Sequence, residues 1–202
     1  MPLLSSRRVD LISRPQTLEM DTIYSIGHSN QPLESFLLLL GRARIQILAD
    51  VRSQPVSRFS PQFNRKALEK ASEAAAIRYV FLGEELGGRP QNPALIDGDG
   101  RVLYGRLAET PPFQSGLRRL HLLLKEGPTA IMCSEEDPVG CHRRLLIGRV
   151  LDECGVKMVH LRRSGSEQPE ATFGRDLQPP LGQDPDRAWR SVRPVRKVGL
   201  GN

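Results

Sequence analysis

Aromatic residues make up only 5% of the 202-residue chain, and there are just three cysteines, Cys133, Cys141 and Cys154. A small, odd set of thiols cannot build a disulfide framework, which excludes the stapled secreted mini-domains and leaves free thiols or metal ligands. Long apolar runs are missing too. No stretch approaches the roughly 18 consecutive apolar residues that a membrane-crossing helix needs. The first twenty residues carry Arg7, Arg8, Asp10, Arg14 and Glu19 and lack the apolar centre of a secretory signal. The expectation is a cytoplasmic protein with no membrane partner.

What is present is basic, and unevenly so. The formal net charge is +6, of which +3 falls in Arg162 to Asn202 and +1 in the first twenty residues, so the body from Asp21 to Leu161 is nearly balanced at +2. The end of the chain runs Gln178, Pro179, Pro180, Leu181, Gly182, Gln183, Asp184, Pro185 and then Arg187, Arg190, Arg193, Arg196 and Lys197. Such a sequence buries little apolar surface, so residues 163–202 read as a disordered basic tail, residues 21–162 as one domain and residues 1–20 as an extension. A basic tail is either a solubilising end or a contact for phosphates, whose neutralisation releases counterions.

Within the body, short apolar β-type runs alternate with amphipathic segments. Thr22 to Ile26, Ile45 to Val51, Ile77 to Leu82, Thr129 to Met132 and Lys157 to Leu161 predict five strands. Helices are predicted from Pro32 to Gly41, from Ser60 to Ala76, from a Thr110 cap to Gly127, and from an Asp137 cap through Pro138 to Gly155. Cys154 and His121 fall among apolar residues and read as core. This alternation predicts a three-layer α/β fold, an open and mainly parallel sheet of about five strands with helices on both faces. Gly83 to Glu109, rich in glycine and proline and without periodicity, reads as a lid or mobile connection.

In such sheets ligands bind beyond the carboxyl ends of the strands. Gly27, His28, Ser29 and Asn30 follow the first predicted strand; Asp50, Arg52, Ser53 and Arg58 follow the second; Cys133, Ser134, Glu135, Glu136 and Asp137 follow the fourth, with Cys141, His142 and Arg143 behind them. Thiol, imidazole, carboxylate and guanidinium groups are therefore expected on one rim.

The segments TIYSIGHS (Thr22 to Ser29), DVRSQPVS (Asp50 to Ser57), LGG (Leu86 to Gly88) and CSEEDPVGCHR (Cys133 to Arg143) resemble the prokaryotic family known as domain of unknown function 488, in order and over about 140 residues. The resemblance implies a compact α/β domain with a shared polar site and implies no activity. The two extensions inherit nothing from it.

Three chemistries compete for these residues. Glu135, just beyond a central strand, can serve as general base or as nucleophile toward a sugar carbon, with His142 as a second acid/base, His28 and Asp50 positioning them, and Arg52, Arg58 and Arg143 holding a phosphate beside Ser29 and Cys141. An ion pair from Glu135 to Arg143 or Arg144 is the structural alternative. Cys133 can act as a nucleophile. Against it, Glu135, Glu136 and Asp137 would raise its pKa, and its distance from Arg143 is not that of the short Cys-to-Arg loops of cysteine phosphatases. Cys133, Cys141 and His142, with Glu135 or His28 as a fourth ligand, are also a zinc-type donor set. Yet the Cys-x2-Cys spacing is missing, and consecutive helical residues diverge by about 100°. The sequence therefore assigns no metal and names no cofactor. The leading expectation is hydrolysis or group transfer on a nucleotide or nucleic-acid component. The alternative is a non-catalytic module that binds a nucleotide or nucleic acid, and the third reading is a metal-dependent hydrolase.

Overall fold

Period-two alternation sorts the strand side chains onto two faces, and the helices follow that sorting. The computed structural model describes residues 21–173 and 189–195. The extension at 1–20 and most of the predicted tail, 174–188 and 196–202, lie outside the described residues. Strands β1 (Thr22–Gly27), β2 (Ile47–Asp50), β3 (Arg78–Phe81), β4 (Thr129–Cys133) and β5 (Lys157–Leu161) are parallel and β6 (Glu167–Pro169) runs antiparallel to β5, in the order β3-β2-β4-β1-β5-β6.

One face buries Leu48, Ala130, Met132 and Ile26 against Phe36 and Leu40 of α1 (Leu33–Arg42) and Leu68 of α2 (Arg65–Ala74). The other buries Ile47, Ala49 and Ile131 against Phe113, Leu117 and Leu120 of α5 (Pro111–Glu126) and against Leu146, Ile147 and Leu151. Thr110 caps α5, its hydroxyl accepting from the Phe113 amide, and Pro111 occupies the first turn, where its missing N–H costs nothing. Phe113 and Leu120 are wholly buried, each contributing roughly 1.5–3 kcal/mol of apolar transfer energy.

Three details depart from the sequence expectation. Gly83 to Glu109 is not a free lid. Its short helices α3 (Gly83–Leu86) and α4 (Tyr104–Ala108) seat Leu86, Leu95, Val102, Tyr104 and Leu107 in the core on the α5 side. The fourth predicted helix does not begin at Pro138. There the Asp137 carboxylate accepts from Val139 N and Pro138 O from Cys141 N, closing a turn. A π-helical turn over Arg143–Gly148 then leads into α6 (Arg149–Glu153). Finally, the predicted tail supplies a sixth strand and a return segment. β6 is joined to β5 by a turn that needs the positive φ (88°) of Gly165, and residues 189–195 dock on Gly100 to Tyr104 through Tyr104 N to Trp189 O, Ser191 N to Val102 O and Val195 N to Gly100 O.

Candidate functional site

Helix α1, which follows β1, and helix α6, which follows β4, pack on opposite faces of the sheet, although β1 and β4 are hydrogen-bonded neighbours. The chain thus diverges at the carboxyl ends of these strands, where Gly27 is the register partner of Cys133, and a divergence of this kind opens a crevice in α/β sheets. The expected polar groups do collect on this rim. They separate, however, into two constellations on the two faces, because Asp50 pairs with Met132 whereas Cys133 points the other way.

On the α1/α2 face, Asp50, Arg52, His28 and Tyr79 form a closed network. The Arg52 guanidinium grips both Asp50 oxygens, with contacts of 2.9 and 2.6 Å, donates to Phe63 O at 2.8 Å and meets His28 Nε2 at 3.0 Å. Tyr79 donates to Asp50 at 2.6 Å, and His28 Nδ1 meets Ser29 O at 2.7 Å while its ring stacks on Phe63. Both imidazole nitrogens are therefore occupied, with Nδ1 as the donor. Burial, reinforced by Arg52, lowers the His28 pKa to about 4. Asp50, Arg52 and His28 are at most 3% exposed. Their geometry ties the ends of β1 and β2 to the Phe63 turn and leaves no group facing solvent. Ser29 contributes its carbonyl to this tie, whereas Arg58 is exposed on the loop after β2, beside the 93%-exposed ring of Phe59.

On the α5/α6 face lie Cys133, Cys141 and His142. Their donor atoms are all within 4.8 Å of one another. His142 Nε2 meets Val51 O at 3.0 Å, so it carries the proton and Nδ1 presents its lone pair to Cys133 Sγ at 3.6 Å and Cys141 Sγ at 3.9 Å. Cys141 and His142 converge because Cys141 precedes the helix and the 100° helical divergence does not apply to it. The Cys133 thiol is held below its ordinary range by a hydrogen bond from Cys141, with burial opposing and Arg143 and the Glu135 amide assisting. The acidic neighbours do not carry the balance, as the sequence had suggested they would; Glu135 opposes the shift but is outweighed. Cys141 is pushed well up by burial and by donating to Cys133. Tyr104 is pushed up by burial and by Cys141, Glu135 and Cys133, so its hydroxyl stays protonated.

Two glycines make this corner possible. A Cβ on Gly88 would lie 2.5 Å from His142 Cγ, so the LGG turn covers the imidazole only without a side chain, and Ser53 Oγ accepts from the Arg89 amide at 3.0 Å to hold the turn down. A Cβ on Gly27 would lie 1.8 Å from Glu135 O, so the loop after β4 crosses the end of β1 at backbone contact. Arg143, 1% exposed, fastens that loop by donating to Glu135 O and to Glu136 O at 2.5 and 2.7 Å, and reaches Ser25 Oγ at 3.2 Å. Its donors face backbone and a buried hydroxyl. The Glu135 carboxylate is 37% exposed and, among the described residues, pairs with the exposed Arg193 at 3.2 Å and makes no ion pair with Arg143 or Arg144.

The sequence did not single out Ser25, Glu170 or Tyr104. Ser25 Oγ lies 2.6 Å from His160 Nδ1, and His160 Nε2 lies 2.7 Å from Glu170, which also binds Arg144. This serine, histidine and carboxylate chain resembles a hydrolytic triad in composition. Ser25 and His160 are wholly buried, however, and the hydroxyl also receives Arg143, so the chain ties β1, β5 and the π-helical turn together. Its signal was the register pairing of Ser25 with His160, visible only once strand order is known. Among the described residues no helix is long and apolar enough to cross a membrane.

No curated protein and no solved structure gave a match to the chain. The family model described as Domain of unknown function DUF488 matches residues 32–150, a span that includes Asp50, the LGG turn and Cys133 to Arg143. With more than half of its length matched, the chain belongs to the DUF488 family.

Proposed function

We propose that this protein is a hydrolase or group transferase acting on a nucleotide or nucleic-acid component, with its chemistry at the end of β4. The observation that carries the reading is Glu135, a half-exposed carboxylate whose loop is clamped in place by Arg143 and whose amide reaches Cys133, beside a cluster of two buried thiols and a half-buried imidazole. A carboxylate on a fixed loop beside a desolvated cluster is an arrangement suited to moving a proton to or from a bound substrate. In this reading Glu135 is the proton carrier, Cys133, Cys141 and His142 form the reactive floor, and Asp50, Arg52, His28 and Arg143 act as positioning residues that hold the rim. Substrate preference rests on Arg58 and Phe59, an exposed guanidinium beside an exposed ring, which can hold a phosphate and stack a base.

The test is turnover on a panel of nucleotides and short oligonucleotides. Glu135→Gln keeps the shape and removes the charge, and its kcat falls by about 100-fold or more. Arg58→Ala and Phe59→Ala raise KM by about tenfold with little change in kcat. An unchanged rate in Glu135→Gln overturns the reading. Binding of the same compounds without turnover in either form favours the binding module instead.

A further inference from the structure

We propose that Cys133, Cys141 and His142 bind a zinc-class divalent cation as three protein ligands, with the fourth coordination position open to water or to substrate. The distances fit. A tetrahedral ion with zinc–sulfur bonds near 2.3 Å and zinc–nitrogen bonds near 2.05 Å sets its sulfur and nitrogen ligands about 3.5–3.6 Å apart and two sulfurs about 3.8 Å apart. Here Nδ1 lies 3.6 and 3.9 Å from the two sulfurs, and all three donor atoms fall within 4.8 Å of one another. Two thiolates and an imidazole are the donor chemistry that selects zinc over magnesium or calcium.

The orientation of His142 is a second, independent observation. Its Nε2–H donates to the Val51 carbonyl, the outer contact that metal-bound histidines characteristically make, and that bond turns the Nδ1 lone pair onto the two thiols. Without a cation, the lone pair has only long contacts to sulfur. The pocket is also built for a fixed ring, since Gly88 lies against it where any side chain would collide. The ligands come from two rigid places, the end of a central strand and the turn that opens the next helix, and Cys133 and Cys141 are 7% and 1% exposed.

The neighbouring side chains leave the fourth position without a protein ligand. His28 has both nitrogens occupied, by Arg52 and by Ser29 O, and it belongs to the network on the other face. Glu135 is turned toward Arg193. Among the described residues no other His, Cys, Asp or Glu joins the three donors. Three protein ligands with an open fourth position are the pattern of a catalytic rather than a structural zinc site. Occupancy of the site does not depend on the reaction proposed above.

The experiment uses the full chain, expressed with zinc, purified without a metal-affinity step and analysed by elemental mass spectrometry. About one zinc per chain is expected. The ion is then removed with a chelator and replaced by cobalt, with the thiolate-to-cobalt absorption and the visible bands of tetrahedral cobalt as readout. Cys133→Ser and Cys141→Ser each lose the cobalt spectrum, whereas Cys154→Ser and Glu135→Gln keep it. Less than a tenth of an equivalent of metal, together with no cobalt spectrum on direct titration of the unaltered chain, overturns the proposal, and so does a full equivalent retained by both ligand variants. Titration of the unaltered chain keeps the result decisive even if a variant fails to fold. One equivalent of metal without turnover on any nucleotide supports the site and overturns the functional reading. Turnover by metal-free protein without cobalt binding does the reverse.

Discussion

The two faces of one rim hold similar residue types in opposite conditions. On the α1/α2 face a carboxylate, a guanidinium, an imidazole and a phenol satisfy one another at 2.6–3.2 Å and are sealed from water. On the α5/α6 face two buried thiols meet a half-buried imidazole, whose contacts to the two sulfurs are 3.6 and 3.9 Å. The difference teaches that burial and charge do not by themselves mark a site. A network whose donors and acceptors are all matched is architecture, whereas a set of ligating atoms converging on a point none of them fills is shaped for a guest.

Mutations can break that contrast. Asp50→Ala leaves the Arg52 guanidinium buried without its anion and costs about 3–5 kcal/mol in denaturant unfolding. A loss below 1 kcal/mol would mean the network is not closed. Acid probes the same face. The unfolded His28 takes a proton near 6.5, whereas the folded ring resists until about 4. Stability from this residue is complete above the upper value and is lost as pH falls through that window, about 3 kcal/mol in all. His160, lowered by burial, adds to the loss in the same direction. His28→Gln should flatten the pH dependence of unfolding by about one proton, and an unchanged slope would count against the sealed imidazole.

Smaller effects are expected on the other face. Gly88→Ala forces a methyl onto His142 and should cost about 1–3 kcal/mol, with weakened cobalt binding as the distinguishing readout. If cobalt affinity is unchanged, the ring is not held by this contact. Arg193→Ala removes a pair that is 76% and 37% exposed, so melting should shift stability by no more than about 0.5 kcal/mol. A larger loss would show that the segment at 189–195 depends on that pair rather than on its backbone bonds and Trp189.

The sequence carried the sheet and the rim because strands declare themselves by short apolar runs, and in a winding α/β chain their ends share one edge. The division of the rim into two faces was also encoded, in the parity of Asp50 against Cys133, but parity acquires meaning only with register, and alternation does not encode strand order. Other features had no local signal. Glu167, Gln168 and Pro169 have little β propensity and form β6 because the Gly165 turn brings them against β5. Asp137 and Pro138 carry a helix-start signature that a tight turn uses equally well, which hid the convergence of Cys141 with His142. The apolar residues from Leu86 to Leu107 are spaced by helices of four and five residues, too short to show a period.

The π-helical turn at Arg143–Gly148 has a consequence for how this corner tolerates change. A wide turn of this kind amounts to one residue inserted into an α-helix. It lets neighbouring residues serve separate duties: Arg143 holds the crossing loop, and Arg144 lies over Phe173 and grips Glu170. Deleting one residue there would restore a regular helix and remove the extra residue that gives the two arginines separate directions. Arg143 and Arg144 would then no longer hold both the crossing loop and Glu170. Length in this stretch is therefore a stricter constraint than composition, and chimeras between related chains should be joined outside it.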